Sequence, residues 1–180
     1  MRTNIVLTLT GKDRTGLVQE VTKILLEAGC NVETSRMARL GGEFAVLMLF
    51  SMPADKQADL DRGIQSLTRQ GFKVTTSPTS QSYAEEHAGW LNYKIQVFGA
   101  DQEGIIHEVA HQLSQFGINI ESMDTSTTQA PNSGAPLFSM SALVAVPIGL
   151  PGQKWKAALK EVEHRQHVDI KVSAIAKRQL

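Results

Sequence analysis

The chain holds a single cysteine, Cys30, among its 180 residues. One thiol closes no intramolecular disulfide, and a cysteine-rich zinc cluster is excluded. Neither sign of charge is in excess, because eighteen Lys and Arg balance eighteen Asp and Glu. That balance argues against non-specific nucleic-acid binding, which needs a basic surplus or a basic patch. Long hydrophobic runs are also missing. The longest strongly apolar stretch, Phe44–Phe50, is seven residues, the length of a strand, whereas a membrane span needs about 20. The opening MRTNIVLTLTGKDRTG shows no apolar core and no small-residue cleavage site of a secretory leader. These absences set the expectation of a soluble, cytoplasmic protein with no membrane partner. Neither phosphate-binding glycine pattern, Gly-x-x-x-x-Gly-Lys-Ser/Thr or Gly-x-Gly-x-x-Gly, occurs.

What is present points to a folded chain. Hydrophobic residues make up 42% and charged residues 20%, close to globular averages, so wholesale disorder is excluded. A chain of this length is comfortable as two small domains. An internal repeat bears this out. Shifted by 88, the stretch Gly11–Glu33 matches itself at nine of 23 positions, including Gly11/Gly99, Asp13/Asp101, Gly16/Gly104, Gly29/Gly117, Asn31/Asn119 and Glu33/Glu121; roughly one or two matches would arise by composition. Further on the offset is 94, as in Phe44/Phe138 and Pro53/Pro147. The extra residues fall in Gln129–Pro136, which has turn chemistry. Gly41-Gly42 makes the same connection in the first repeat as a tight hairpin. The predicted domains are 1–78 and 90–180, joined by a linker at 79–89.

Periodicity supplies the elements. Ile5, Leu7 and Leu9 alternate with Val6, Thr8 and Thr10, a strand. Leu17, Val21, Ile24, Leu25 and Ala28 form the stripe of an amphipathic helix, with Gly29 placed to end it. Strands follow over Asn31–Arg39 and Glu43–Ser51. A second helix is marked by Leu60, Ile64 and Leu67, and a strand begins at Phe72. The second repeat gives the same order, with Trp155, Ala158, Leu159 and Val162 in its second helix and Val168, Ile170 and Val172 in its last strand. The fold class is α+β: two tandem ferredoxin-like β-α-β-β-α-β units with antiparallel sheets and helices on one face. Strand Phe44–Phe50 is apolar on both faces, which predicts that the face away from the helices is covered as well, by the second repeat or by another subunit; we expect it to be an association surface, and the protein to be a homo-oligomer, a dimer.

The glycine-bearing loop after each first strand has a specific chemistry. A helix entered through such a loop offers unpaired N–H groups and a positive dipole end to a carboxylate. Asp13 or Asp101 can pair with an ammonium group, Asn31 or Asn119 offers a donor and an acceptor, and Gly16 and Gly104 let a ligand approach the backbone. Together these make a coherent amino-acid site at the junction of strand one, helix one and strand two. The same residues also suit a purely structural role, with Asp capping the helix and Gly making the turn. The repeats differ here: Arg14-Thr15 becomes Gln102-Glu103. Arg14 can clamp a carboxylate and Glu103 repels one, so a charged clamp is expected in the first repeat alone.

The paired units, each with Gly-x-Asp-x-x-Gly after its first strand and Gly-x-Asn before its second, resemble ACT domains, small regulatory modules that bind amino acids. Gly11–Val18 is similar to the Asp-Arg-x-Gly form of that loop. Gly29–Phe44 resembles more specifically the glycine cleavage system repressors, a family built of two such domains. The resemblance implies a non-catalytic regulator with ligand-binding residues Gly11, Asp13, Arg14, Thr15, Gly16, Asn31, Asp101, Gly104 and Asn119. It also implies a small amino acid effector, glycine or serine, no other cofactor, and a protein partner such as a transcriptional activator, with no direct nucleic-acid contact. The alternative is a regulatory subunit that controls an amino-acid or one-carbon enzyme in trans.

Three rival patterns need answers. His107-Glu-Val-Ala-His111 reads literally as the zinc-protease motif. The repeat aligns its histidines with Gln19 and Lys23, ordinary polar-face positions, while Ile105, Val109, Leu113 and Phe116 hold the opposite stripe; adventitious metal binding at the pair is left open. RNA-recognition folds share the element order but stack bases on aromatic residues of strand one, and Asn4–Thr10 has none. Cys30 has no histidine in its own repeat and reads as a buried structural thiol.

Overall fold

The computed structural model describes residues 2–79, 87 and 89–175. It divides into two compact units, Met1–Ser82 and Tyr83–Leu180. Of the expected linker at 79–89, residues 80–86 and 88 lie outside the described residues. The first unit runs β1 (Arg2–Lys12), α1 (Leu17–Glu27), β2 (Asn31–Leu40), β3 (Glu43–Pro53), a short 3-10 turn, α2 (Gln57–Arg69) and β4 (Lys73–Pro78). The second runs β5 (Leu91–Ala100), α3 (Ile105–Gln115), β6 (Asn119–Gln129), β7 (Pro136–Val146), α4 (Gly152–Gln166) and β8 (Val168–Ala174). Both are β-α-β-β-α-β. Each sheet is antiparallel with four strands, in the orders β2-β3-β1-β4 and β6-β7-β5-β8. The strands run one to two residues beyond the apolar pattern at several ends, because the ladder continues past the last side chain that reaches the core.

Alternation decides which face is dry. Ile5, Leu7 and Leu9 of β1 and Val46, Met48, Phe50 and Met52 of β3 are buried, and each strand turns its other side chains away from the helices. Leu17, Val21 and Leu25 of α1 and Leu60 and Leu67 of α2 close the first core. At Gly63 the helices come so close that a Cβ would clash with Ile24 Cγ2. The second core repeats the plan with Ile95, Val97, Ile105, Val109, Leu113, Trp155 and Leu159. The repeat extends to an irregularity. Both edge strands carry a bulge, between Val32 and Thr34 in β2 and between Ile120 and Ser122 in β6, so the matched pair Glu33/Glu121 is the extra residue in each.

One expectation is adjusted. Cys30 is half-buried, not fully buried, because it lies just past the end of α1 where the core tapers; what burial it has pushes its thiol pKa up, partly offset by Arg2. The apolar side of β3 that faces away from the helices has no cover within its own unit, and Leu47 there is 50% exposed. Among the described residues no helix is long and apolar enough to cross a membrane.

Candidate functional site

In each unit the chain turns from the first strand into the first helix through a glycine in the left-handed region, Gly16 at φ 86° and Gly104 at φ 91°. Any side chain there would be strained. No side chain caps either helix, so the capping role open to Asp13 and Asp101 is not taken up; in α1 the Leu17 N–H instead donates to Arg14 O at 3.4 Å. The loops are anchored instead through their backbones. The Asp13 N–H donates to Gly42 O at 3.0 Å, and the Asp101 N–H to Pro136 O at 3.0 Å. Each aspartate is thereby fixed beside the hairpin that joins the second and third strands.

The side chains around the two aspartates differ. Asp13 faces Arg39 on β2, Oδ2 to Nε 3.8 Å. Asp101 accepts a hydrogen bond from Thr127 Oγ1 on β6 at 3.3 Å. Arg39 therefore brings a cation to the first carboxylate, whereas the second has a neutral neighbour. Arg14, expected as a free clamp, is held. It is ion-paired with Glu20, donates to Gln70 Oε1 at 2.7 Å and lies 5.4 Å over the Phe72 ring. Gln70 Nε2 closes the triangle on Glu20 Oε1 at 2.7 Å. The Arg14 bond, and next the Gln70 bond, hold the Glu20 carboxyl below its ordinary value. In the second unit Gln102 replaces Arg14 and donates to the Gln166 carbonyl, while Arg165 takes over the pairing with Glu108 at 2.8 Å. Both loops are thus tied to the end of their second helix, by different chemistry. Thr15 and Glu103 are exposed at the loop tips.

Cavities open on different sides of the two loops. In the first unit about 430 Å³ lies between the loop residues Lys12, Asp13 and Arg14 and the segment Gln70–Phe72. In the second, about 550 Å³ lies between Asp101, the first turn of α3 and the β6 residues Thr125 and Thr127, with His107 and Phe138 also in its wall. The second cavity presents the carboxylate of Asp101 and the N-terminus of α3 to one space. Both volumes exceed what a small amino acid fills.

Gly11, Asp13, Arg14, Thr15 and Gly16 come together at one end of the first sheet, and Asp101 and Gly104 do so in the second. Asn31 and Asn119 do not join them. Gly11 pairs with Phe44 but Asn31 pairs with Ser51, seven rungs along β3, or roughly 23 Å. Asn119 is likewise opposite Ala145 while Gly99 is opposite Phe138. The cause is strand direction: β1 ends where α1 begins, α1 runs back, and β2 starts at the far end. Asn119 donates instead to Glu121 Oε1 at 2.7 Å. Sequence reasoning did not single out Arg39, Thr127, Glu20 or Gln70. The hairpin register could have found the first two, since the residues opposite Phe44 and Phe138 are Arg39 and Thr127.

Residues 3–76 match the family described as the ACT domain. The first unit is an ACT domain. The second repeats its topology, its glycine loop and its bulge, so the chain is a tandem of ACT-like units. A crystal structure of an unknown protein from Galdieria sulphuraria superposes with a TM-score of 0.83 at 33% identity, over 98% of this chain and 100% of that one, and the two proteins belong to one family. A solved protein provisionally assigned as a glycine cleavage system transcriptional repressor shares the fold, with a TM-score of 0.66 at 21% identity over 98% of this chain and 99% of that one. In sequence, 47 residues are 47% identical to the glycine cleavage system transcriptional repressors of Escherichia coli (strain K12) and Shigella flexneri. That match covers 26% of this chain and spans 25% of the length of those curated relatives.

Proposed function

We propose that this tandem ACT protein is a non-catalytic, cytoplasmic regulator that binds a small amino acid, glycine or serine, and acts through a protein partner such as a transcriptional activator, without touching nucleic acid itself. The observation that carries this reading is the meeting of a helix N-terminus with no side-chain cap and the Asp101 carboxylate in one cavity. Opposite charges facing one cavity suit a zwitterion, with N–H groups for its carboxylate and Asp101 for its ammonium. The similarity to glycine cleavage repressors supports glycine as the first ligand to try. The first unit is the weaker site, because Arg39 stands at Asp13 and Arg14 is already committed to Glu20.

The distance between Asn31 and the loop gives the mechanism its shape. The two ends of one sheet do not share a ligand, so Asn31 would reach a loop only if a second copy brought the two ends together. Ligand and second copy would then each favour the other, and the affinity for the partner changes by linkage. The test is calorimetric titration of the full chain with glycine, serine and larger amino acids. Asp101→Asn should weaken binding by about 10- to 100-fold, the worth of a charged hydrogen bond, and Asp13→Asn by less. Recovery of a chemically altered amino acid, or a response indifferent to Asp101, overturns the reading.

A further inference from the structure

The His-Glu-x-x-His pattern is not absorbed by amino-acid binding. It lies on α3, whose Ile105, Val109 and Leu113 are buried. That stripe fixes the helix against its sheet and leaves His107 and His111 exposed on the other side. The two imidazoles stand one turn apart with ring centroids 6.0 Å from each other and planes inclined by 14°. A histidine nitrogen binds zinc at about 2.0–2.1 Å and lies roughly 1 Å from its ring centre, so two rings sharing one ion have centres roughly 5–6 Å apart. Nearly parallel rings do not aim their in-plane lone pairs at one point, so both side chains must turn before they share an ion, which their i, i+4 placement on one helix face allows. Among the described residues neither ring is committed to a hydrogen bond, so no bond is given up on binding. The intervening Glu108 is held by Arg165 of α4 at 2.8 Å, so the carboxylate that would activate water in a protease is engaged elsewhere. No group of three or more His, Cys, Asp or Glu placed to hold a metal occurs among the described residues.

We propose that His107 and His111 form a two-point, non-catalytic site for a late first-row divalent cation, with the remaining coordination positions open to solvent. Imidazole donors select Cu²⁺, Ni²⁺ and Zn²⁺ over Mg²⁺ and Ca²⁺, and affinity follows the order that puts Cu²⁺ first. The rings bind only when neutral, so acidification releases the ion. The first unit has no counterpart, because Gln19 and Lys23 occupy the aligned positions.

Titration of the chelator-stripped full chain with Cu²⁺, Ni²⁺, Zn²⁺ and Mg²⁺ tests the site. One Cu²⁺ per chain should bind there, with a copper resonance spectrum showing two imidazole nitrogens, and Mg²⁺ should give no signal. His107→Gln and His111→Gln should each weaken Cu²⁺ by about 100-fold, because either loss turns a chelate into a single contact, while His164→Gln leaves it unchanged. His107 lines the cavity beside Asp101 and His111 does not, so His111→Gln removes the metal site without touching the proposed amino-acid site. Equal Cu²⁺ affinity in wild type and His111→Gln, or absence of one-to-one binding in the wild type, overturns the proposal. Circular dichroism of each variant separates loss of binding from loss of fold.

Discussion

On the face turned away from the helices, β3 of the first unit presents Ala45, Leu47 and Leu49, flanked by Val6 and Thr8 of β1. The aligned positions of the second unit are Ser139, Ser141 and Leu143 on β7, with Lys94 and Gln96 on β5. The loops diverge as well, with Asp13 facing Arg39 and Asp101 facing Thr127. What stays alike is the frame: the left-handed glycine that opens the first helix, the backbone bond from loop to hairpin, and the bulge in the edge strand. Those features answer to the backbone, which both units share. The open face and the loop surroundings answer to whatever lies outside the unit, so they are free to separate. Under the proposed function, the comparison would give each unit a different task, with association weighted to the first sheet and ligand capture to the second cavity.

The largest effect tests the shared frame. A Cβ on Gly99 would lie 2.7 Å from Val168 Cγ1 and 3.0 Å from the Val168 Cα, whereas one on Gly11 would meet the Phe72 ring at 2.5 Å and the Phe72 Cα at 3.4 Å. Backbone yields less readily than a ring. Gly99→Ala should therefore lower stability by about 1–3 kcal/mol, an overpacking cost, and Gly11→Ala by less, as read from urea denaturation midpoints. Equal losses would mean that the two first strands are crowded in the same way.

An intermediate effect sharpens the contrast between the open faces. If association runs through the first sheet, Leu47→Glu should raise the dimer dissociation constant by at least about tenfold, since removing a half-buried leucine from an interface forfeits on the order of 1–2 kcal/mol. Ser141→Glu on the second sheet should leave it unchanged. Sedimentation velocity distinguishes them, and a dimer insensitive to Leu47 would shift the interface elsewhere.

The smallest effect concerns the loop latch. Glu20 is held in its charged form by Arg14 first and Gln70 second. A carboxyl whose folded pKa is depressed contributes stability above its ordinary value of 4.5, and that contribution is lost as the pH falls through the folded value. Arg14→Gln should abolish most of this acid dependence, by less than about 1 kcal/mol because the pair is solvent-screened. A carboxyl titration followed by NMR would show Glu20 moving upward. In the second unit Glu108 is held from α4 by Arg165, so Gln102→Ala should leave that ion pair in place.

The fold was legible because the periods were clean. Alternation at Ile5, Leu7 and Leu9, a helical stripe from Leu17 to Leu25, and glycines at the boundaries each specified one element, and the repeat supplied them twice. The site was legible only as far as one loop reaches. Asn31 sits close in sequence to Asp13, yet following the chain up β1 and back down α1 already sends it to the far end of the sheet. Arg39 and Thr127 lie too far along the chain to be suggested by loop spacing, and only the hairpin register brings them to the aspartates. The commitment of Arg14 depended on Gln70 arriving from the end of α2, a meeting that no local pattern announces.

Each four-stranded sheet closes entirely within its own stretch of chain, since β4 pairs with β1 and β8 with β5. This has a consequence in time. The last strand of the first sheet ends at Pro78, and at 5–20 residues per second a ribosome needs about 5–20 s to add the hundred or so residues that follow. Mixed domains of this size fold far faster than that. The first ACT domain therefore completes its hydrogen-bonded ladder while the second is still being made. The two related loops never compete as nascent, unfolded neighbours for the same strands.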